Sequence, residues 1–150
     1  MMTALYIISL LIMVAYLATM TALYGIGDYV SDYAYMGKHR WLFSATMVTS
    51  SLILLPVMME KGGVAPFLAL FAVFGLVLVG GEPLYKVEKM HTIGAFTALI
   101  CGTLWAVTFH PFIVSFAWLF WGAYVLLKLP KPYYLGEVIA LALIYLTIII

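Results

Sequence analysis

Long apolar runs broken by short polar intervals dominate the chain. A helix needs about 20 apolar residues, with a range of about 17–25, to cross a typical bilayer. Six runs approach that length: residues 3–24, 41–59, 64–81, 91–109, 112–127 and 134–150. The fifth and sixth are short. The break between the fourth and fifth is only Phe109-His110-Pro111-Phe112. Pro111 lacks an amide hydrogen and disfavours a helical residue before it, so a tight turn is predicted there. One long kinked helix, giving five spans, is the alternative. The pattern predicts an all-α, polytopic transmembrane helix bundle forming a single domain over residues 1–150.

Charge placement favours six spans. The seven basic residues are Lys38, Arg40, Lys61, Lys86, Lys89, Lys128 and Lys131. With six spans, all but Lys61 fall in odd-numbered loops. The positive-inside rule then puts those loops in the cytoplasm and both termini outside. The first run has no basic residue before it, as a secretory signal would require, and is read as a retained span. Asp28, Asp32, Glu82, Glu88 and Glu137 share the inferred cytoplasmic side, and Glu60 lies on the other.

Composition agrees with this picture. The chain is 67% hydrophobic and 9% charged, against about 45–50% and about 25% in soluble domains. So small a chain cannot bury that excess internally, so the lipid bilayer is its first partner. A net charge of +1 offers no basic patch to grip nucleic acid. A homo-oligomer or a partner membrane protein stays open. The single Cys101 excludes an internal disulfide and reads as a packing residue.

Span four carries the clearest packing signal. Gly94, Ala98, Gly102 and Ala106 recur every four residues and form one ridge. Small residues let helix backbones approach closely where lipid supplies no hydrophobic force between them. This predicts a central helix with a neighbour against the ridge. The aromatic residues Trp41, Trp105, Trp118, Trp121, Tyr24, Tyr85, Tyr133 and Tyr134 lie mostly near span ends and read as an interfacial belt.

The densest polar stretch is Gly25 to Arg40. If helical, Asp28, Ser31, Asp32 and Tyr35 share one face. Two carboxylates one turn apart can hold a hard cation such as Mg²⁺. They can also share a proton. The plainer account is a solvated loop with Gly25, Gly27 and Gly37 as breakers. His91 opens span four on the side of the small-residue ridge. It is a candidate Zn²⁺ ligand or general base, or simply an interfacial histidine bonded to a neighbour. Glu82 joins Asp28, Asp32 and His91 as a candidate metal ligand. Glu88 is placed to meet His91 one turn on, with Lys86 and Lys89 as simpler partners for these acids. Glu137 reads as a hydrogen-bonding group at a helix start, and His39 as solvated. No motif calls for a cofactor. The catalytic candidates are Asp28, Ser31, Asp32 and His91.

Several segments in order resemble a family of small, uncharacterised polytopic membrane proteins of bacteria and their phages. They are Ser31-Asp-Tyr-Ala-Tyr35, Arg40-Trp-Leu-Phe43, Leu54-Leu-Pro56 with Glu60, Val79-Gly-Gly-Glu-Pro83, and His91 with the small-residue helix. That resemblance implies an integral protein of a bacterial inner (cytoplasmic) membrane, with no activity assigned. A fainter similarity is to membrane hydrolases related to ceramidases and progestin/adipoQ receptors. These gather a Ser, an Asp and histidines around zinc near one membrane face. Ser31, Asp28 or Asp32, and His91 match that pattern, but only one histidine here is well placed on that side. Three functions follow as expectations: a structural, regulatory or interaction role in the bilayer; an ion- or proton-linked transporter or channel component; or a lipid-processing hydrolase.

Overall fold

A computed structural model of the protein describes residues 1–36, 40–85 and 88–150. The side chains of Arg40, Leu84, Tyr85 and Glu88 are also outside the description. The readings placed on Lys38, His39, Lys86 and Glu88 therefore fall outside the described residues. Among the described residues the chain is all-α. Its helices are α1 (Met2–Tyr24), α2 (Arg40–Lys61), α3 (Pro66–Tyr85), α4 (Glu88–Phe109), α5 (Pro111–Leu126) and α6 (Pro132–Ile149). A short 3-10 helix, Val30–Ala34, lies between α1 and α2.

Five of the six helices are long and apolar enough to cross a membrane, and α5 is a shorter apolar helix. The break after Phe109 is real. His110 leaves the helical region (φ −134°, ψ 62°) and Pro111 starts α5. A proline there costs little, because the first-turn N–H groups have no intrahelical partner anyway. The fourth and fifth runs are thus two helices rather than one kinked helix.

Contacts between chain ends set the course of the helices. At one end, Lys61 Nζ donates to Ile148 O (3.3 Å) and Trp105 Nε1 donates to Gly62 O (3.2 Å). At the other end, Tyr33 and Tyr134 gather around Thr21, whose Oγ1 lies 3.0 and 3.1 Å from their hydroxyls. Successive helices therefore run in alternate directions. The second end, which carries the 3-10 helix, is called here the loop end.

Large apolar side chains stay exposed along the outer faces, among them Leu11, Phe67, Phe74, Phe116 and Leu119. Water-soluble monomers rarely expose so continuous an apolar surface. The protein is a multi-pass membrane protein, and these faces suit contact with lipid.

The small-residue ridge of α4 serves several neighbours. A Cβ built on Gly75 of α3 would sit 2.5 Å from Ala98 N and 2.6 Å from Gly94 O. The α3 and α4 backbones are therefore in direct contact. Further along, Gly102 faces Ile144 of α6, where an added Cβ would meet a side-chain carbon at 2.8 Å. Ala106 packs with Val114 of α5 and Leu143 of α6. Four residues at one spacing thus seat α3, α6 and α5 in turn.

Polar glue supplements this packing on the other side of the bundle. Ser9 Oγ of α1 donates to Ser50 O of α2 (2.9 Å) and lies 2.7 Å from the Tyr145 hydroxyl of α6. These groups are buried. Hydrogen bonds of this kind join helices where apolar side chains gain nothing by leaving lipid.

Candidate functional site

The site is built on the 3-10 helix. Gly25 ends α1 with φ 74°, a left-handed conformation that glycine tolerates without Cβ strain. Two residues beyond Gly25, the chain enters a turn held by Asp32. Its Oδ2 accepts N–H bonds from Asp28 (2.7 Å) and Tyr29 (2.9 Å). A side-chain oxygen there satisfies amides that have no partner in a short helix.

Three helices pin this segment down. Tyr33 is fully buried and its hydroxyl donates to Gly25 O (2.8 Å). The Tyr35 hydroxyl donates to the buried carboxylate of Glu82 on α3. On α6, Glu137 Oε2 accepts the Val30 N–H at 2.6 Å. The rings of Tyr29 and Tyr133 stack with centroids 5.2 Å apart, and Lys131 Nζ reaches Asp28 Oδ1 at 2.6 Å.

Beside this segment is a half-open cavity of about 590 Å³. Its position follows from how α5 packs. Near the opposite end α5 touches α4 and α6 through Val114, Ala106 and Leu143. At the loop end it leans on α6 instead. Trp121 Nε1 donates to Pro132 O (2.7 Å), and the indole fills the space above Gly136, where an added Cβ would meet it at 2.7 Å. The resulting gap is bounded by α3, α4, α5, α6 and the 3-10 helix, with Phe43 and Met47 of α2 also in its lining. Its walls are apolar, with Leu76, Val79, Leu99, Leu141 and Ile144. Its polar lining comes from Ser31, His91, Thr92 and Glu137, and Tyr29 and Tyr133 also line it. Thr92 and Phe96 of α4 line it and are exposed on the outer face, so it opens sideways.

The structure brings Ser31 and His91 to one cavity and separates the other predicted site residues from its lining. Asp28 is exposed and paired with Lys131. Asp32 is occupied by two backbone amides. Glu82 is bonded to Tyr35 and does not line the cavity. The helical face shared by Asp28, Ser31, Asp32 and Tyr35 does not form, because helix begins only at Val30 and is of the 3-10 type. Among the described residues no three His, Cys, Asp or Glu side chains gather as a metal-ligand set.

Two polar atoms of lining residues have no hydrogen-bond partner among the described residues: His91 Nδ1 and Trp118 Nε1. Buried polar atoms are normally satisfied, so such atoms call for an explanation. Glu137 was read from sequence only as a helix-start group, yet it joins the cavity to the 3-10 helix. One signal could have raised it. It is the sole acid inside any of the six apolar runs, and ionisable residues within spans mark functional sites by default. Trp118 and Trp121, expected in an interfacial belt, line the cavity.

No protein-family model, no curated protein and no solved structure matches the chain. The functional reading therefore rests on this geometry.

The Asp28–Lys131 pair is a surface contact. Exposed ion pairs are worth about 0–1 kcal/mol, so Asp28→Asn is expected to leave thermal stability in detergent nearly unchanged. A loss of more than about 2 kcal/mol, outside that range, would show that the pair holds the 3-10 helix in place.

Proposed function

We propose that the protein binds an amphiphile of the bilayer, with its apolar chain in the lateral cavity and its polar group near Ser31, His91 and Glu137. One observation carries the reading: a single cavity combines an apolar body with hydrogen-bonding groups from the 3-10 helix and the first turns of α4 and α6. Its volume of about 590 Å³ falls within the range of about 300–1,000 Å³ of small-molecule sites. The first turns of membrane helices lie at headgroup depth, where a lipid's polar part resides. A binding role suits an interaction or regulatory component of the membrane. The positive-inside pattern supports a cytoplasmic location for this end, and the sequence resemblance is the support for a bacterial inner membrane.

A second reading, hydrolysis of the bound amphiphile, is favoured by Ser31 and His91 lining the same cavity. A serine nucleophile needs a base within hydrogen-bond reach. If this reading holds, Ser31→Ala abolishes turnover of an ester-bearing lipid and leaves its binding intact.

The binding reading is tested by filling the cavity from opposite walls, with Ala140→Trp on α6 and Ala95→Phe on α4. Lipid extracted from the purified wild type and quantified by mass spectrometry is expected to hold one amphiphile enriched at least about tenfold over its level in both variants, a difference of about 1.4 kcal/mol in binding. Identical lipid profiles in all three proteins, with the variants still folded, would overturn it.

A further inference from the structure

The lining of the cavity is unbalanced in charge. Among the described residues it contains one carboxylate, Glu137, and no lysine or arginine. Lys131, just before α6, is held outward by Asp28 at 2.6 Å. Glu137 Oε2 takes the Val30 N–H, but a carboxylate offers about four acceptor sites, so capacity remains. The same cavity is lined by Tyr29, Tyr133, Trp118 and Trp121. Aromatic faces attract ammonium groups, most strongly those of Trp, and the attraction grows when water is excluded.

We infer that the amphiphile carries a cationic, ammonium-type headgroup, received by the Glu137 carboxylate and the aromatic rings that line the same cavity, while its chain lies along Leu99, Leu141 and Ile144. The inference rests on the binding reading above and names the ligand class of that site. An anionic headgroup is disfavoured, because it would face Glu137 with no cation among the described lining residues to offset the repulsion. A neutral headgroup would forgo both the ion pair and the cation–π attraction.

The test uses the full chain in uncharged maltoside micelles at neutral pH, with three probes sharing a twelve-carbon tail: dodecylamine as its ammonium, dodecanol and dodecanoate. Binding is read by native mass spectrometry. Dodecylammonium is expected to bind at least about tenfold tighter than dodecanol, with dodecanoate weakest, a step of about 1.4 kcal/mol per tenfold. Glu137→Gln retains an acceptor oxygen for Val30 and is expected to remove the preference for the ammonium. Equal binding of dodecanol, or tighter binding of dodecanoate, overturns the charge assignment and leaves the cavity reading standing. If no probe binds wild type above Ala140→Trp, both fall. The ranking of the three probes on wild type decides the matter even where Glu137→Gln does not fold.

Discussion

Gly75→Leu is expected to abolish a folded, monodisperse protein, whereas Gly122→Leu is expected to leave it intact. The difference lies in what each new side chain meets. At Gly75 even the first carbon would lie 2.5 Å from Ala98 N and 2.6 Å from Gly94 O. Those are backbone atoms of α4 and cannot swing aside as a side chain can. Overpacking a well-filled interior costs about 1–3 kcal/mol, occasionally more. Here the added volume must force two backbones apart along a helix pair, so the upper end or beyond is expected. The rest of the α4 ridge would lose its seats on α6 and α5 in turn. At Gly122 nothing lies within 4 Å of an added Cβ, and replacing a mid-helix glycine favours the helix. Unfolding midpoints in mixed micelles containing increasing sodium dodecyl sulfate measure both variants. A Gly75→Leu midpoint equal to wild type would mean that α3 and α4 do not touch as described.

Glu137→Ala is expected to release the 3-10 helix from α6. The substitution removes the acceptor of the Val30 N–H, which is bonded at 2.6 Å. Leaving a buried donor unsatisfied costs about 1–3 kcal/mol. Much of that cost can be avoided if the segment moves to find water, so the loss should appear locally. Amide hydrogen exchange at Val30 and Ser31 is expected to accelerate by at least about tenfold, since each 1.4 kcal/mol corresponds to a factor of ten. Exchange in the middle of α2 and α3 should stay unchanged. Glu137→Gln keeps an acceptor and should exchange nearly as wild type does. If Ala and Gln variants behave alike, the carboxylate rather than the hydrogen bond holds the segment. If neither changes exchange, the Glu137–Val30 contact is not a support.

Much of the scaffold was legible from sequence because membrane helices are written in a one-dimensional code. Runs of apolar residues predicted the helices nearly end to end. Pro111 predicted the break, and the repeat at Gly94, Ala98, Gly102 and Ala106 predicted a central α4. The third apolar run ends at Gly81, yet α3 continues through Pro83 to Tyr85. The loop between α1 and α2 was less readable. Spacing arguments assumed an α-helix from Asp28 onward, but Asp32 bonds back to the amides of Asp28 and Tyr29 and imposes a turn. A short polar side chain competing for nearby backbone amides is a local effect that periodicity does not report. The cavity was not readable at all. It depends on partners far apart in the chain, such as Val30 with Glu137 across 107 positions. It also depends on α5 leaning toward α6, which turns Trp118 and Trp121 inward from the belt expected for span-end aromatics.

The pocket also explains why the polar groups at the loop end divide as they do. Asp28, Asp32 and Glu82 each have a partner that fixes local structure. Ser31, His91 and Glu137 face a shared space. Asp32 and Glu82 hold the 3-10 helix in position, Asp28 is taken up by a surface pair, and Glu137 both supports Val30 and faces the cavity with Ser31 and His91.

The most direct test of the cavity as a lipid-chain site is photocrosslinking in vesicles, using a lipid whose acyl chain carries a diazirine near its middle, with insertion sites mapped by mass spectrometry. The account predicts crosslinks at Leu99, Ala140, Leu141 and Ile144, reduced to background in Ala140→Trp. Crosslinks confined to outward-facing residues such as Leu11, Phe116 and Leu119, with none on the cavity walls, would contradict it.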